Sequence, residues 1–298
     1  MSAAAMPPAA VRPIVGLAPR RCLLPQSLGF LAPIVVDGLQ RFGSNGDGGY
    51  VLPAWALKAI DAVVSFGISE NFTFEEALAA VLPGVPIHGY DPTVSDRHFR
   101  KRVTRILAKF LRLRASGAEL ADKYRSLAAY RRVFAAPSRH FRERIFNRSD
   151  GPGDATIDQV FARIPGRDHV LLKMDIEGAE YRVIPDILRY AGRIDILAIE
   201  FHDTDPLRAV FLAAIEQLLA EFRIVHLHGN NVSGVAADGL PEALEITFLA
   251  KRLVPPGLAR RQELPLEGLD FPNYPAAAEL ALVFAPRENE HASQPTRR

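Results

Sequence analysis

Cysteine is almost missing: Cys22 is the only one in 298 residues. An internal disulfide and any cysteine-based metal cluster are therefore excluded. The same scarcity suits a reducing, cytoplasmic setting. A long apolar run is missing too. After Arg20-Arg21, the segment from Cys22 to Val36 is interrupted by Pro25, Gln26, Ser27 and Pro33. It is too short and too broken to span a bilayer, and no small-residue cleavage site of a secretory signal follows it. The expectation is a chain without a transmembrane segment, with residues 1–36 as an N-terminal extension whose apolar part packs on the domain. Neither a Walker-type loop nor a full G-x-G-x-x-G is present. No nucleic-acid motif occurs in the basic part of the chain, so nucleic acid is not the expected partner.

What is present fits a globular enzyme-sized chain. A hydrophobic content of 48% is ample for a core, and 298 residues allow one large domain. The net charge of +2 conceals a strong asymmetry. Between Arg97 and Arg148 there are 16 basic residues against Glu119, Asp122 and Glu143, which leaves the rest of the chain at −11. This basic 97–148 region can attract an anionic partner such as a lipid surface or a phosphorylated sugar. A solvated insertion whose charge only aids solubility is the plainer reading.

Strand-like and helix-like segments alternate. Apolar runs at 62–66, 86–90, 170–174 and 194–201 read as buried strands. Helical patterns cover 74–82, 99–113 and onward to about 133, 156–164, 179–190 and 207–221. A further strand is expected at 141–146. Residues 223–227 and 245–250 alternate like two antiparallel strands at a sheet edge. This order predicts an α/β fold: a doubly wound, Rossmann-like sheet, mostly parallel with an antiparallel edge strand. The domain is expected over 37–286, with a basic helical insertion at about 97–140 and a disordered polar tail at 287–298.

Candidate chemistry lies at strand ends, where open α/β sheets bind ligands. The apolar run 170–174 stops at Asp175, Glu177 and Glu180, with Gly178 allowing a tight turn. The run 62–66 leads into Phe66-Gly67-Ile-Ser69-Glu-Asn71. Asp91 ends the next strand, where a carboxylate can accept hydrogen bonds from ribose hydroxyls. With Gly67 as the single glycine there, the pocket suits a nucleoside without a pyrophosphate, and adenosine carrying methionine fits. The plain alternatives are an ordinary turn at Gly67 and a turn residue before a proline at Asp91.

Lys173-Met-Asp175-Ile-Glu177-Gly178-Ala-Glu180 resembles the signature of the FkbM-type methyltransferases. Arg41-Phe-Gly43-Ser-Asn-Gly-Asp47-Gly48-Gly49-Tyr50, Ser65-Phe-Gly67-Ile, His226-Leu-His228-Gly-Asn230-Asn231 and Leu269-Asp-Phe-Pro-Asn273 are similar to a branch of the same family. The resemblance covers roughly residues 41–285; the long basic insertion after Asp91 departs from it. It implies a Rossmann-like methyltransferase fold and S-adenosylmethionine as cofactor, with a hydroxylated, sugar-like or glycan acceptor. Gly67, Ser69 and Asn71 are then expected at the methionine end and Asp91 at the ribose, with the Asp47–Gly49 loop over the same pocket.

An acceptor hydroxyl must lose its proton to a base or to a divalent cation that lowers its pKa. Asp175, Glu200, His202, Asp203, His228 and Asn230 all fall at predicted strand ends. Asp175 and His202 are the catalytic candidates. Asp175, Glu200 and His228 are the candidate ligands for a cation such as magnesium. A histidine at a strand end is often only a hydrogen-bonded structural residue. Two other classes remain open: a nucleotide-sugar or NAD-binding enzyme sharing the sheet, and a catalytically inert Rossmann-like protein that binds an anionic partner.

Overall fold

A computed structural model describes residues 17–149 and 151–285; the expected tail at 287–298 and residues 1–16 of the extension lie outside them. Seven strands form the central sheet: β1 (Ala62–Phe66), β2 (Ile87–Tyr90), β3 (Arg139–Phe141), β4 (Val170–Met174), β5 (Ile194–Phe201), β6 (Phe222–Gly229) and β7 (Leu244–Ala250). Their order is β6-β7-β5-β4-β1-β2-β3. All pairings from β5 to β3 are parallel, so the direction of winding reverses between β1 and β4. β7 runs antiparallel to both β5 and β6. The antiparallel strand therefore sits one in from the edge. Every residue of β7 is buried, and such a strand is better paired on both sides than left as an open edge.

Strand periodicity divides the side chains between two layers of helices. The helices are α1 (Thr73–Val81), α2 (Asp96–Leu111), α3 (Gly117–Val133), α4 (Ile157–Ala162), α5 (Glu180–Leu188) and α6 (Arg208–Glu221). Val64, Phe66, Leu172, Met174 and Ile199 pack with Val160, Ile184, Phe211 and Leu218 of α4, α5 and α6. Val63, Leu171, Ile196 and Ala198 pack with Leu78, Phe99, Val103 and Leu127 of α1, α2 and α3. Each such Leu, Ile or Phe contributes about 1.5–3 kcal/mol relative to exposure.

The basic region is a helical hairpin. α2 starts where the Ser95 hydroxyl accepts the His98 amide. α3 starts at a reciprocal cap between Ser116 and Glu119, which separates it from α2. The strand expected at 141–146 is divided. β3 pairs with β2, whereas Arg144–Ile145 pairs with Asp154–Ala155 outside the sheet, and Glu143 between them turns to an ion pair with Arg163. Nearer the N-terminus, Arg20–Leu24 lies parallel to Leu280–Phe284 and buries Cys22 and Leu24. Among the described residues no helix is long and apolar enough to cross a membrane.

Candidate active site

The sheet register lines up the site. Tyr90 pairs with Phe66, Phe66 with Met174, and Met174 with Ile199. The residues one step further along, Asp91, Gly67, Asp175 and Glu200, therefore form a row across the carboxyl edge of β2, β1, β4 and β5. His202 follows two residues after Glu200, just past the end of β5.

Two cavities open along this row. One of about 400 Å³ is lined by Asp47, Tyr50, Asn71, Glu75, Lys173, Glu200, His202 and Asn230, among others. The other, of about 270 Å³, is lined by Tyr90, Asp91, Thr93, Arg144, Ile145 and Ile176, among others. Gly67, Ser69, Asp175 and Glu177 belong to both, so the cavities meet at the strand ends.

In the larger cavity, one ligand atom from each of Asp175, Glu200 and His202 lies within 4.8 Å of the others. His202 Nε2 is 4.0 Å from both Asp175 Oδ1 and Glu200 Oε1, and 3.6 Å from Glu177 Oε2. Burial alone would lower the His202 pKa, but the hydrogen bond to Glu180 and the charges of Glu180, Glu200 and Asp175 hold it well above its ordinary value. Burial, then the charges of Glu245 and Asp175, push the Glu200 carboxyl upward. Asn230 donates to Glu200 Oε1 at 2.8 Å. Ser69, Glu177 and Asp203 all have positive φ without being glycine. Such conformations cost free energy and cluster at functional sites.

Gly67 has a local reason to be glycine. A Cβ at this position, which also has positive φ, would collide with the Asp175 carbonyl oxygen. The missing side chain makes room for the neighbouring strand end, where the sequence suggested room for a ligand. Asp91 is buried and engaged: Ser69 N–H donates to Oδ2 at 2.8 Å, while Thr93 N–H (2.6 Å) and its hydroxyl (2.5 Å) donate to Oδ1. Burial raises its pKa, but these bonds together outweigh it and hold the carboxyl below its usual value. A carboxylate offers about four acceptor positions, so one stays open. Asp47 and Gly48 line the larger cavity, and Asn71 Nδ2 anchors their loop on the Asp47 carbonyl at 2.7 Å. Gly49 does not line it; a side chain there would strike the Ser44 carbonyl and the Arg41 guanidinium.

His228 is not part of the Asp175–Glu200–His202 cluster. It is buried between Glu245 (3.2 Å) and Glu279 (3.3 Å), and although burial opposes its charge, these two carboxylates push its pKa up to about 10. Two site residues received no role from the sequence. Lys173 reaches the Gly67 carbonyl at 2.5 Å and Asp175 Oδ2 at 3.3 Å. Burial disfavours its charge, but Asp175, Glu75 and Glu200 outweigh that and hold it protonated. Glu75, on α1, is buried under the same cavity and bonded by the Ser65 hydroxyl. The available signal was a charged residue inside each of two apolar patterns.

Residues 132–225 match the family model described as the methyltransferase FkbM domain. That span contains Asp175, Glu200 and His202 but neither Gly67 nor Asp91. Solved structures similar in fold include precorrin-6y C5,15-methyltransferase from Geobacter metallireducens GS-15, with 11% identity over 66% of this chain and 87% of that one and a TM-score of 0.33. Another is the N-terminal domain of EvdMO1 in the presence of SAH and D-fucose, with 14% identity over 66% and 78% and a TM-score of 0.33. A third is the 16S rRNA (adenine(1408)-N(1))-methyltransferase from Catenulisporales acidiphilia, a variant, with 15% identity over 72% and 98% and a TM-score of 0.31. Likenesses this remote do not bear on the acceptor. A comparison with curated proteins gives no significant match.

Proposed function

We propose that this chain, whose residues 132–225 match the methyltransferase FkbM domain, moves the methyl group of S-adenosylmethionine onto a hydroxyl oxygen of a sugar-like acceptor. The supporting observation is the convergence of Asp175, Glu200 and His202 on one wall of a polar cavity that opens into a second cavity at Asp91. Asp91 would accept a ribose hydroxyl at its remaining position. Gly67 and Ser69 would border the methionine end, with Asn71 and the Asp47 loop beyond. Asp175 and Glu177 border this region with negative charge, which suits a cationic sulfonium.

When bound, S-adenosylmethionine supplies a methyl group on positively charged sulfur, already a strong electrophile. The protein must hold the acceptor hydroxyl in line and manage its proton. As the acceptor oxygen forms its bond to the methyl carbon, the carbon–sulfur bond breaks with its electron pair staying on sulfur, and the hydroxyl proton passes to a carboxylate. Asp175 is the base in this reading, with desolvated Glu200 beside it. His202, held protonated by its carboxylate neighbours, donates from Nε2 to orient the acceptor.

A divalent cation is a second reading, favoured by the spacing of the same three side chains. Two carboxylates suit magnesium, and the histidine admits manganese or iron.

Calorimetry with S-adenosylhomocysteine tests the cofactor, and transfer of a labelled methyl group to a panel of glycosides tests the acceptor. Heat with S-adenosylhomocysteine, and label on oxygen that Asp175→Asn removes, are the expected results. Absence of that heat, or label found only on nitrogen or carbon, would overturn the proposal. Magnesium or manganese titrated into the protein without acceptor separates the two readings: heat that Asp175→Asn abolishes supports the cation, and its absence leaves the carboxylate base.

A further inference from the structure

We propose that the tip of the α2–α3 hairpin docks this protein onto an anionic lipid surface. The apolar stripe of α2 begins inside the domain, where Phe99 and Val103 are buried. Further along it Ile106 and Leu107 are half-buried, and the apolar residues beyond them are open to solvent. Along it, Phe110 is 37% exposed and Leu111 is 73% exposed; Leu113, in the turn that follows, is 95% exposed. Tyr124 of α3, 50% exposed, also belongs to the hairpin. Single exposed apolar residues are ordinary, but a group of them around one helical turn marks an interaction surface.

Leu113 adds a second observation. Its φ is 54°, and Arg114 N–H bonds the Lys109 carbonyl at 2.9 Å, which closes the end of α2. Glycine usually occupies this left-handed position. Leucine is strained there, and its side chain is nearly all in solvent, so packing within the protein does not account for it.

Charge identifies the partner. Arg105, Lys109, Arg112 and Arg114 interleave with these apolar residues, and among the described residues they make no ion pair. The two acids of the tip are already engaged: Glu119 in the cap of α3, and Asp122 with Lys123 and Arg125. Free cations around exposed aliphatic side chains match the boundary between anionic headgroups and acyl chains. Single-stranded RNA is the competing anionic partner, but it is held by aromatic side chains that stack on bases. The most exposed apolar residues of the tip, Leu111 and Leu113, offer no ring for a base to stack on, and Phe110 and Tyr124 are less exposed than either.

The hairpin is also tied to the mouth of the active site. His98 (2.7 Å) and Arg102 of α2 pair with Glu70, next to the cavity residue Asn71, and Phe72 packs on Phe99 and Tyr130. Docking at the tip would hold the cavity close to the lipid surface, where the acceptor would be a headgroup or a lipid-borne sugar. The docking surface itself stands without the proposed methyl transfer.

Co-sedimentation of the full chain with vesicles tests the idea, comparing phosphatidylcholine alone with phosphatidylcholine containing phosphatidylglycerol. Binding only to the anionic vesicles, weakened by salt, is expected. Charge reversal at Arg105→Glu, Lys109→Glu and Arg112→Glu should weaken it by at least about tenfold. Leu111→Gln with Leu113→Asn, which keeps a residue tolerant of positive φ and leaves the charge unchanged, should also weaken it by at least about tenfold. Both variants should keep the thermal unfolding and S-adenosylhomocysteine binding of the wild type. Failure of the wild type to bind the anionic vesicles would overturn the proposal. So would unaltered vesicle binding by the leucine variant, or tighter binding to a single-stranded RNA oligomer that the leucine changes leave untouched.

Discussion

His202 is fixed from behind by Glu180. Its Nδ1 lies 3.3 Å from Glu180 Oε1, and the same oxygen accepts the Ile176 amide at 2.9 Å. One buried carboxylate thus joins the end of β5 to the turn between β4 and α5. Its side chain is directed at this turn and at His202. Glu180→Gln keeps the shape but removes the charge that holds His202 protonated and oriented. The expected outcome is a kcat lowered by about tenfold or more, with S-adenosylhomocysteine affinity unchanged. Steady-state kinetics and calorimetry check this; an unaltered kcat would mean that His202 takes no part.

Asp91→Ala tests the ribose contact. Losing a buried hydrogen bond to the carboxylate should weaken S-adenosylhomocysteine binding by about 1–3 kcal/mol. The substitution also frees the Ser69 and Thr93 amides, so the titration belongs well below the variant's own unfolding temperature. Wild-type affinity would place the nucleoside elsewhere.

Gly67→Ala should harm the fold more than the ligand. A Cβ there meets the Asp175 carbonyl, and φ is +75°. Alanine at an incompatible positive φ destabilises by more than about 1 kcal/mol, which lowers the melting temperature by several degrees. Differential scanning calorimetry reads this directly. An unchanged melting temperature would mean that the β1 and β4 ends can separate without cost.

The pair His228–Glu245 predicts how stability depends on pH. His228 is buried and its folded pKa is raised to about 10, against about 6.5 unfolded. Its contribution is therefore fully present below about pH 6.5, declines above that and is gone once pH passes the folded value. One proton limits the slope to about 1.4 kcal/mol per pH unit. Glu245 acts at the other end. Burial raises its pKa, but His228, Asn273 and Arg41 outweigh burial and hold it low, so its contribution is lost as pH falls through its folded value. His228→Ala should cost about 3–5 kcal/mol near neutral pH, because it leaves buried carboxylates unpaired. It should also flatten the loss between pH 7 and 10. Urea unfolding across that range measures both, and an equally steep loss in the variant would contradict the assignment.

Much of the architecture could be read without coordinates because it depends on local periodicity. The runs at 62–66, 170–174 and 194–201 are apolar at nearly every position, as strands covered on both faces must be, and they form the middle of the sheet. Asp175 could be read as a site residue because it ends one of those runs. The alternating polarity of β7 points to a strand at an edge; Glu245 and Thr247 are in fact buried, each with a hydrogen-bond partner from elsewhere in the chain.

The sequence by itself determined which segments become buried strands and which acidic residues stand at their ends, since both follow from burial acting on neighbours along the chain. Only the tertiary structure decided which side chains share a cavity. Lys173 and Glu75 are 98 positions apart and were unremarkable separately; the packing of α1 against β4 sets their charges against each other. Likewise His202 joins Asp175 and Glu200 while His228 pairs with Glu245 and Glu279. Both are histidines near the end of a strand, and what separates them is which carboxylates the neighbouring strands bring within a few ångströms. Electrostatic and hydrogen-bond energies depend on that distance in space, to which the spacing along the chain gives no guide.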